Sequence, residues 1–581
     1  MSMSHYDAIV VGSGAGGGIA AYVLAQSGAK VLVIERGPWV TKENFGDDPL
    51  RFGTRNFINQ DPLIDPRTFR DSALQGDHVY VGQVLGCSQC VGGGTVHYAA
   101  CSFRFTPEDF RCRNTYGQLP GADLVNWPLS ADELDPSNPG SIWSYYDKVE
   151  RLIGVAGGQL SNEPNPGAPY PDTRQLRTGP YPMPGHPPAY GPKLFEDAAT
   201  RLGYHPYPMP VAIVNGEYDG RPGCTYCGFC ASHGCPIDAK SSTLVTALAK
   251  AVATGRCDIR PETMVTGIDV RGGRASGVRL IDPNGRDGAV TADVVVLACS
   301  TVDTPRLVLL SDLPGDLVNL DLVGHYLMVH HYPGGIGVFE ERPDFWRGFW
   351  SMRCLDDFYF GPPGTRAFGY GNLQSVASNS GSPLFAGHIL SAAETVGWGA
   401  GHKTLMKASF GHVFFLAMIG QDPPVYTNMV DLDPTVKDVY GLPAARVTYL
   451  HHPNDNLVET MMGPYMVEIL TAMGATSAQA VLPITAGTSI PEIGHQGQVH
   501  RGPMRGVPDT VGGLLNHQMG TMRMGDHPDT SVVDPSGRFW GVPNLYAVDG
   551  SVFPSSGGYN PTLTIEANAW RIADGIVHSI R

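Results

Sequence analysis

The chain of 581 residues carries 40 Lys and Arg against 55 Asp and Glu, a net charge of −15, with 42% hydrophobic and 16% charged residues. That length exceeds what one core ordinarily holds, so at least two lobes are expected, and 73 glycines with 48 prolines describe a loop-rich globular protein. The acidic balance repels phosphate backbones and anionic lipid surfaces, which argues against a nucleic-acid partner.

The N-terminus enters an apolar run at residues 8–11 with no basic region, long apolar region or cleavage site before it, so a cytoplasmic location is expected. Export on a partner subunit that carries a signal is the alternative. The longest strongly apolar stretch, residues 413–419, is far below the roughly 20 residues of a membrane helix, and no transmembrane segment is expected. The 11 cysteines are an odd number, and tight clustering of several suits thiols or metal ligands better than a disulfide framework.

In chain order, residues 8–11 predict a strand, 12–17 a glycine turn, 18–27 a helix and 31–34 a second strand ending in Glu35. The turn Gly12-Ser13-Gly14-Ala15-Gly16-Gly17 contains G-x-G-x-x-G, so this βαβ unit is expected to hold a dinucleotide. Gly12 permits the tight turn, Gly14 the approach of a pyrophosphate, Gly17 close helix–strand packing, and the helix N-terminus favours the phosphate charge. Glu35 is placed to accept from ribose hydroxyls and would repel a 2′-phosphate, so NADP is disfavoured. The loop alone does not separate NAD from FAD.

Residues 39–85 are polar and irregular, and a second glycine-rich segment spans 86–94. Residues 114–223, rich in Pro, Asn, Asp and Tyr, predict surface excursions and part of a cap, with one helix near 141–153. Cys224-x-x-Cys227-x-x-Cys230-x4-Cys235-Pro236 follows. Its first three spacings match the C-x2-C-x2-C run of ferredoxin-type ligands, so an iron–sulfur cluster is one reading, zinc a second, and thiols or local disulfides a third. Cys87 and Cys90 read as small residues filling a tight turn.

Strands are expected at 259–270, 277–281 and 293–299, a mixed region with a helix at 456–473 across 321–515, and a strand at 545–548 with a helix at 562–579 at the end. Phe345, Trp346, Trp350, Phe358, Tyr359, Phe360, Phe414 and Phe415 line a pocket or, more commonly for such residues, pack a core. Dinucleotide-type segments at the start, middle and end imply lobes interleaved in sequence.

Three further segments resemble the glucose-methanol-choline (GMC) oxidoreductase family. They are Gly92-Gly93-Gly94-Thr95-Val96-His97 with Arg104 and Pro107 to Phe110, then Leu297 to Leu307 with Val323 to Leu327 and His330, and lastly the C-terminal set. That set comprises His517-Gln518-Met519-Gly520-Thr521, Asn544-Leu545, Asp549-Gly550-Ser551, Phe553-Pro554 and Asn560-Pro561-Thr562. The sequence departs from the family at Cys299-Ser300 and His325-Tyr326.

The resemblance implies an α/β fold, α+β overall, in which a Rossmann-like FAD-binding domain (1–113, 216–320 and 522–581) is interleaved with a sheet-plus-helices substrate-binding or cap domain (114–215 and 321–521). It implies FAD along Gly12, Gly14, Gly17 and Glu35, with Gly93, Gly94, Thr95, Val265, Asp549, Gly550, Pro561 and Thr562 further along the cofactor. It places a base at His517 and a substrate contact at Asn560, and makes His97 either a packing residue against the flavin or a point of covalent attachment. A neutral imidazole suits removal of a hydroxyl proton during hydride transfer. The implied activity is oxidation of an alcohol, first a sugar, polyol or glycoside, with oxygen, a quinone or a redox protein as acceptor. The alternatives are an oxidase of a non-sugar alcohol and a non-redox FAD-containing lyase. The cysteine segment is also similar to that of bacterial sugar dehydrogenases of the family, some of which carry a cluster there, with different spacing.

Overall fold

The computed structural model describes residues 5–46, 61–86, 88–157, 176–177, 179–231, 233–345, 353–376, 399–481 and 517–580. Cys87, Trp346 and Trp350 lie outside them.

The chain opens with β1 (His5–Val11), α1 (Ala15–Gln26) and β2 (Val31–Ile34). From Ala8 onward β1 is a continuous apolar run, as is all of β2, which suits parallel strands covered on two faces, and every residue of β2 is buried. After β3 (Arg67–Arg70) and β4 (Tyr80–Gly82) come the helices α2 (Ile142–Ile153) and α3 (Tyr190–Arg201), the two-residue strand β5 (Tyr207–Pro208) and α4 (Ala247–Ala253). Next are β6 (Cys257–Arg260), β7 (Met264–Arg271), β8 (Arg274–Ile281), β9 (Asp287–Leu297) and α5 (Asp303–Leu309).

The later half holds β10 (Gly334–Val338), β11 (Arg353–Leu355), β12 (Gly371–Val376), β13 (Val413–Gly420), β14 (Met429–Lys437), β15 (Pro443–Thr448), α6 (Pro453–Ala472) and β16 (Ser477–Val481). The described chain ends on β17 (Leu545–Ala547) and α7 (Thr562–Ile580).

Seven of these strands form one sheet in the order β6-β2-β1-β9-β8-β7, with β17 paired to the last residues of β9, Val295 to Leu297, beyond its pairing with β8. Pairing of β1 with β2 and β9, of β2 with β6 and of β9 with β17 is parallel, and β8 runs antiparallel to β7 and β9. One Rossmann-like sheet is thus assembled from three distant stretches of sequence. The expectation of a single strand over 259–270 is corrected here. Pro261 removes a ladder donor and Glu262 takes φ +51, so the run breaks into β6 and β7, which join opposite edges of the sheet.

A six-stranded antiparallel sheet, β16-β10-β13-β12-β11-β5, stands beside it with α6 packed on β10 and β16. Its core contains Phe345, Phe358 and Phe414, so these aromatic residues pack an interior rather than lining a pocket. A four-stranded sheet, β14-β15-β3-β4, is tied to the Rossmann-like sheet by buried ions. Arg36, just beyond β2, reaches Asp65 and Asp303 at 2.8 Å each, Arg67 reaches Asp303 at 2.7 Å, and Arg306 reaches Asp65 at 3.0 Å and Asp438 at 2.7 Å. Arg36, Asp65, Asp303 and Arg306 each serve two ionic partners, which offsets the cost of burial.

Candidate active site

The glycine loop leaves β1 at Gly12, whose φ of +94 favours glycine, and a Cβ there would overlap the carbonyl oxygen of Ala298 at the end of β9. A Cβ on Gly17 would overlap the oxygen of Gly12, and one on Gly16 the oxygen of Val548. Gly12 and Gly17 thus have the packing roles expected of them. Gly16 has an equally strict one that the G-x-G-x-x-G pattern does not mark.

Gly14 differs. It is the N-cap of α1, no side chain caps it, and a Cβ there would meet nothing within 4 Å. Gly94 is open in the same way, and the neighbouring Gly93, at φ +53, presses against the Cα of Gly14. An uncapped helix N-terminus beside open backbone is a ready place for a phosphate anion. The two loops are joined where Gly92 N donates to Ser13 Oγ at 3.0 Å, and within the second loop Thr95 Oγ1 donates to Gly92 O at 2.6 Å.

Glu35 is buried, with Oε2 accepting from Ser13 N (3.1 Å) and Ser13 Oγ (2.7 Å) and Oε1 from Gly37 N (3.0 Å). Its carboxylate braces the loop, a role not foreseen beside the expected ribose contact. Asp549 likewise accepts from Ser300 N at 2.9 Å, Thr304 Oγ1 at 2.6 Å and Ser551 N at 2.9 Å, fixing the turn that carries Gly550. Val265 stands at the start of β7, two residues beyond Thr263, whose N–H donates to Glu35 O at 3.0 Å. Thr562 begins α7, directly after Pro561.

His517 and Asn560 meet: Asn560 Nδ2 lies 3.0 Å from His517 Nε2. On the amide's other side Gln374 Nε2, from β12, donates to Asn560 Oδ1 at 2.9 Å. The other imidazole nitrogen, His517 Nδ1, is 2.9 Å from His330 Nδ1 and 3.0 Å from Tyr332 Oη, while His330 Nε2 is 2.8 Å from the carbonyl of Gly557. Burial lowers His517 to about 4, so the ring is neutral near pH 7. A neutral imidazole nitrogen thus stands beside an amide N–H, an acceptor and a donor side by side for one hydroxyl group.

Residues 183–332 and 424–569 match the two family models described as GMC oxidoreductase, and residues 10–65 match the NAD(P)-binding Rossmann-like domain. The 2-methyl-1,2-propanediol dehydrogenase of Mycolicibacterium austroafricanum is 32% identical, covering 99% of this chain and 96% of its own. The gluconate 2-dehydrogenase flavoprotein of Pantoea cypripedii is 27% identical over 99% of this chain and 94% of its own. Among solved structures, the formate oxidase of Aspergillus oryzae, studied for FAD modification, superposes with a TM-score of 0.63 at 15% identity over 100% of this chain and 99% of that one. The chain belongs to the GMC oxidoreductase family. As a GMC oxidoreductase it is an FAD-dependent oxidoreductase acting on CH–OH donors. The residues present fit the cofactor, because the uncapped N-terminus of α1 and the open backbone at Gly14 and Gly94 leave room for a pyrophosphate.

The remaining sites of interest in this GMC oxidoreductase divide sharply. His97 is held by Gly94 O at 3.2 Å and by Ser88 Oγ, 2.9 Å from its Nε2, and burial followed by the charge of Lys240 lowers it to about 4. Cys224, Cys227, Cys230 and Cys235 line a cavity of about 60 Å³ with Lys240, and all four are free. Among the described residues no group of three or more His, Cys, Asp or Glu is placed to hold a metal ion. This geometry gives no support to the iron–sulfur or zinc reading. The thiols share that cavity, and burial pushes Cys224 up to about 11 and Cys230 up to about 12, so both are protonated near pH 7. No helix among the described residues is long and apolar enough to cross a membrane.

Tyr332 and Gln374 went unnoticed in the sequence. Gln374 is 3% exposed in β12, where Asn372 and Ser375 are buried polar residues too, so nothing local in the sequence sets it apart.

Proposed function

We propose that this GMC oxidoreductase oxidises a CH–OH group of a polyol or sugar, with His517 Nε2 as the base for the hydroxyl proton and Asn560 Nδ2 as the donor that holds the same oxygen. FAD, when bound, supplies the two-electron acceptor at N5 for the hydride that leaves the carbon. The single observation that carries the reading is the 3.0 Å pairing of His517 Nε2 with Asn560 Nδ2. A hydroxyl seated beside both takes the place of their mutual hydrogen bond, donating its hydrogen to the imidazole and accepting from the amide, so one contact removes the proton and the other orients the oxygen. Gln374 keeps Oδ1 of Asn560 turned away and therefore keeps Nδ2 facing the substrate.

Cofactor contacts are assigned in the same reading to Gly12, Gly14, Gly17, Glu35, Gly93, Gly94, Thr95, His97, Val265, Asp549, Gly550, Pro561 and Thr562. The FAD-binding domain is drawn from 1–113, 216–320 and 522–581 and the cap from 114–215 and 321–521. The polyol or sugar substrate is supported by relatives named for a diol and for gluconate. Both are named dehydrogenases, which favours an acceptor such as a quinone or redox protein over oxygen. Comparing turnover in air with turnover using a quinone separates the two.

The direct test is anaerobic reduction of the bound flavin by a polyol or sugar. In His517→Ala the rate is expected to fall about 10²- to 10⁴-fold with FAD retained. Near-normal reduction in that variant would sink the assignment of the base.

A further inference from the structure

We infer that His330 is a positioning residue that fixes His517 in the tautomer carrying its hydrogen on Nδ1, which makes Nε2 the basic nitrogen. The inference deepens the reading of His517 as the base and rests on it.

The direction of the hydrogen bonds is set from a group that can act in one sense only. The carbonyl of Gly557 accepts, so His330 Nε2, 2.8 Å away, carries the hydrogen. Burial, followed by the neighbouring His517, holds His330 well below the ordinary histidine range, so its ring is neutral and Nδ1 keeps a lone pair. That lone pair faces His517 Nδ1 at 2.9 Å. Two lone pairs at hydrogen-bond distance repel, so the hydrogen between them sits on His517 Nδ1. Because His517 is neutral too, Nε2 is left without one.

Tyr332 Oη, 3.0 Å from the same Nδ1, then shares that hydrogen as a second acceptor. Were it the donor, the Nδ1 atoms of the two histidines would oppose each other.

The adjacent histidine, by contrast, is held in the charged state. Against burial, which lowers it, Asp455 and Glu459 raise His331 to about 9, and its Nε2 reaches Gly369 O at 2.8 Å. The cationic ring is anchored to those carboxylates, and the neutral one is left facing His517. When the substrate O–H bond breaks and Nε2 takes the proton, the new imidazolium keeps its Nδ1–H on His330, so His330 also stabilises the charge as it forms.

The test uses the FAD-loaded full chain. In ¹⁵N spectra of histidine-labelled protein, with His517 assigned by its absence in His517→Ala, His517 is expected as the Nδ1–H tautomer. A wild-type His517 found as the Nε2–H tautomer overturns the inference whatever the variants do. His330→Leu, which deletes the acceptor, is expected to lower the limiting rate of anaerobic flavin reduction about 10²- to 10³-fold, with the half-saturating substrate concentration changed less than about 3-fold. The probes are 2-methyl-1,2-propanediol and gluconate. In His330→Asn the amide oxygen falls near the position of Nδ1, and most of the rate is expected back.

In a His517→Ala background, His330→Leu should add less than about 3-fold, because a residue that acts through the base has nothing left to act on. Losses that multiply, or a His330→Leu enzyme as fast as wild type while His517→Ala is inactive, overturn the role of His330 alone. A fast His517→Ala enzyme overturns the underlying reading instead.

Discussion

The glycine loop and the histidine pocket are built by opposite means. Around Gly12, Gly16 and Gly17 the site is defined by backbone meeting backbone with no space for a Cβ, and the few side chains present, Glu35 and Asp549, are spent on bracing turns. Around His517 it is defined by side chains, with His330, Tyr332, Gln374 and Asn560 each contributing one directed hydrogen bond. The first is a matter of shape and the second of direction. Substitutions in the loop should therefore remove cofactor or fold, while substitutions in the pocket should leave a folded, yellow protein with altered rates.

The hardest blow to that contrast comes from Gly12→Ala. Positive φ and overlap with the Ala298 carbonyl together cost about 2–6 kcal/mol, a large part of the stability of an ordinary protein. The expected product is aggregated or unfolded, with no flavin absorbance after purification. Gly14→Ala separates shape for folding from shape for binding. Its backbone is ordinary and its surroundings are empty, so a thermal melt of the apoprotein should match wild type while FAD affinity falls about 10- to 100-fold. An unchanged FAD affinity would mean that the open space at Gly14 is not where the cofactor lies.

Acid probes the pocket in turn. Burial lowers His517 to about 4 and holds His330 well below the ordinary histidine range, so the unfolded chain takes up protons near pH 6.5 that the folded chain refuses. Both therefore contribute stability above about pH 6.5 that declines as pH falls toward 4. Melting temperature should drop across that window, and less steeply in His517→Leu. An equal slope in the variant would show that the imidazole takes its proton while folded. A smaller effect, confined to rate, is expected from Gln374→Leu. Loss of one neutral hydrogen bond to Asn560 is worth about 1 kcal/mol, hence about a 5-fold slower flavin reduction at unchanged FAD content.

The same contrast explains what could be read in advance. The βαβ unit was legible because its signals are local: buried apolar runs at 8–11 and 31–34 enclose a glycine turn, and the observed strand Val31–Ile34 coincides with the expected 31–34. The span 259–270 reads as one strand because β-branched residues recur along it, yet Pro261 and Glu262 send its halves to opposite edges. Resemblance to a family pointed to His517 and Asn560, whereas Gln374 contacts Asn560 across 186 residues of sequence and Tyr332 contacts His517 across 185. No periodicity links residues so far apart. Direction within a hydrogen-bonded ring pair is less legible still, since it depends on which atoms face each other and not on which residues are present.

The cysteine segment shows how spacing alone leaves several readings open. Its intervals match a cluster-binding run, but Lys240, the buried cation beside the thiols, donates to the carbonyls of Tyr98, Cys230 and His233 at 2.6–2.8 Å and is thereby committed to closing the loop. A buried ammonium in that place favours thiolates electrostatically, yet burial dominates and keeps Cys224 and Cys230 protonated. Cys227 is the exposed member and packs least, so Cys227→Ser should change flavin content and the rate of substrate-driven flavin reduction by less than about 2-fold, the ordinary size of a surface substitution. Metal analysis of the wild-type protein should accordingly find neither iron nor zinc in proportion to FAD. Iron in fixed ratio to FAD, lost in Cys227→Ser, would mean that the loop closes around a cluster when one is supplied, and would add to the contrast of shape and direction a third region that ligand binding itself completes.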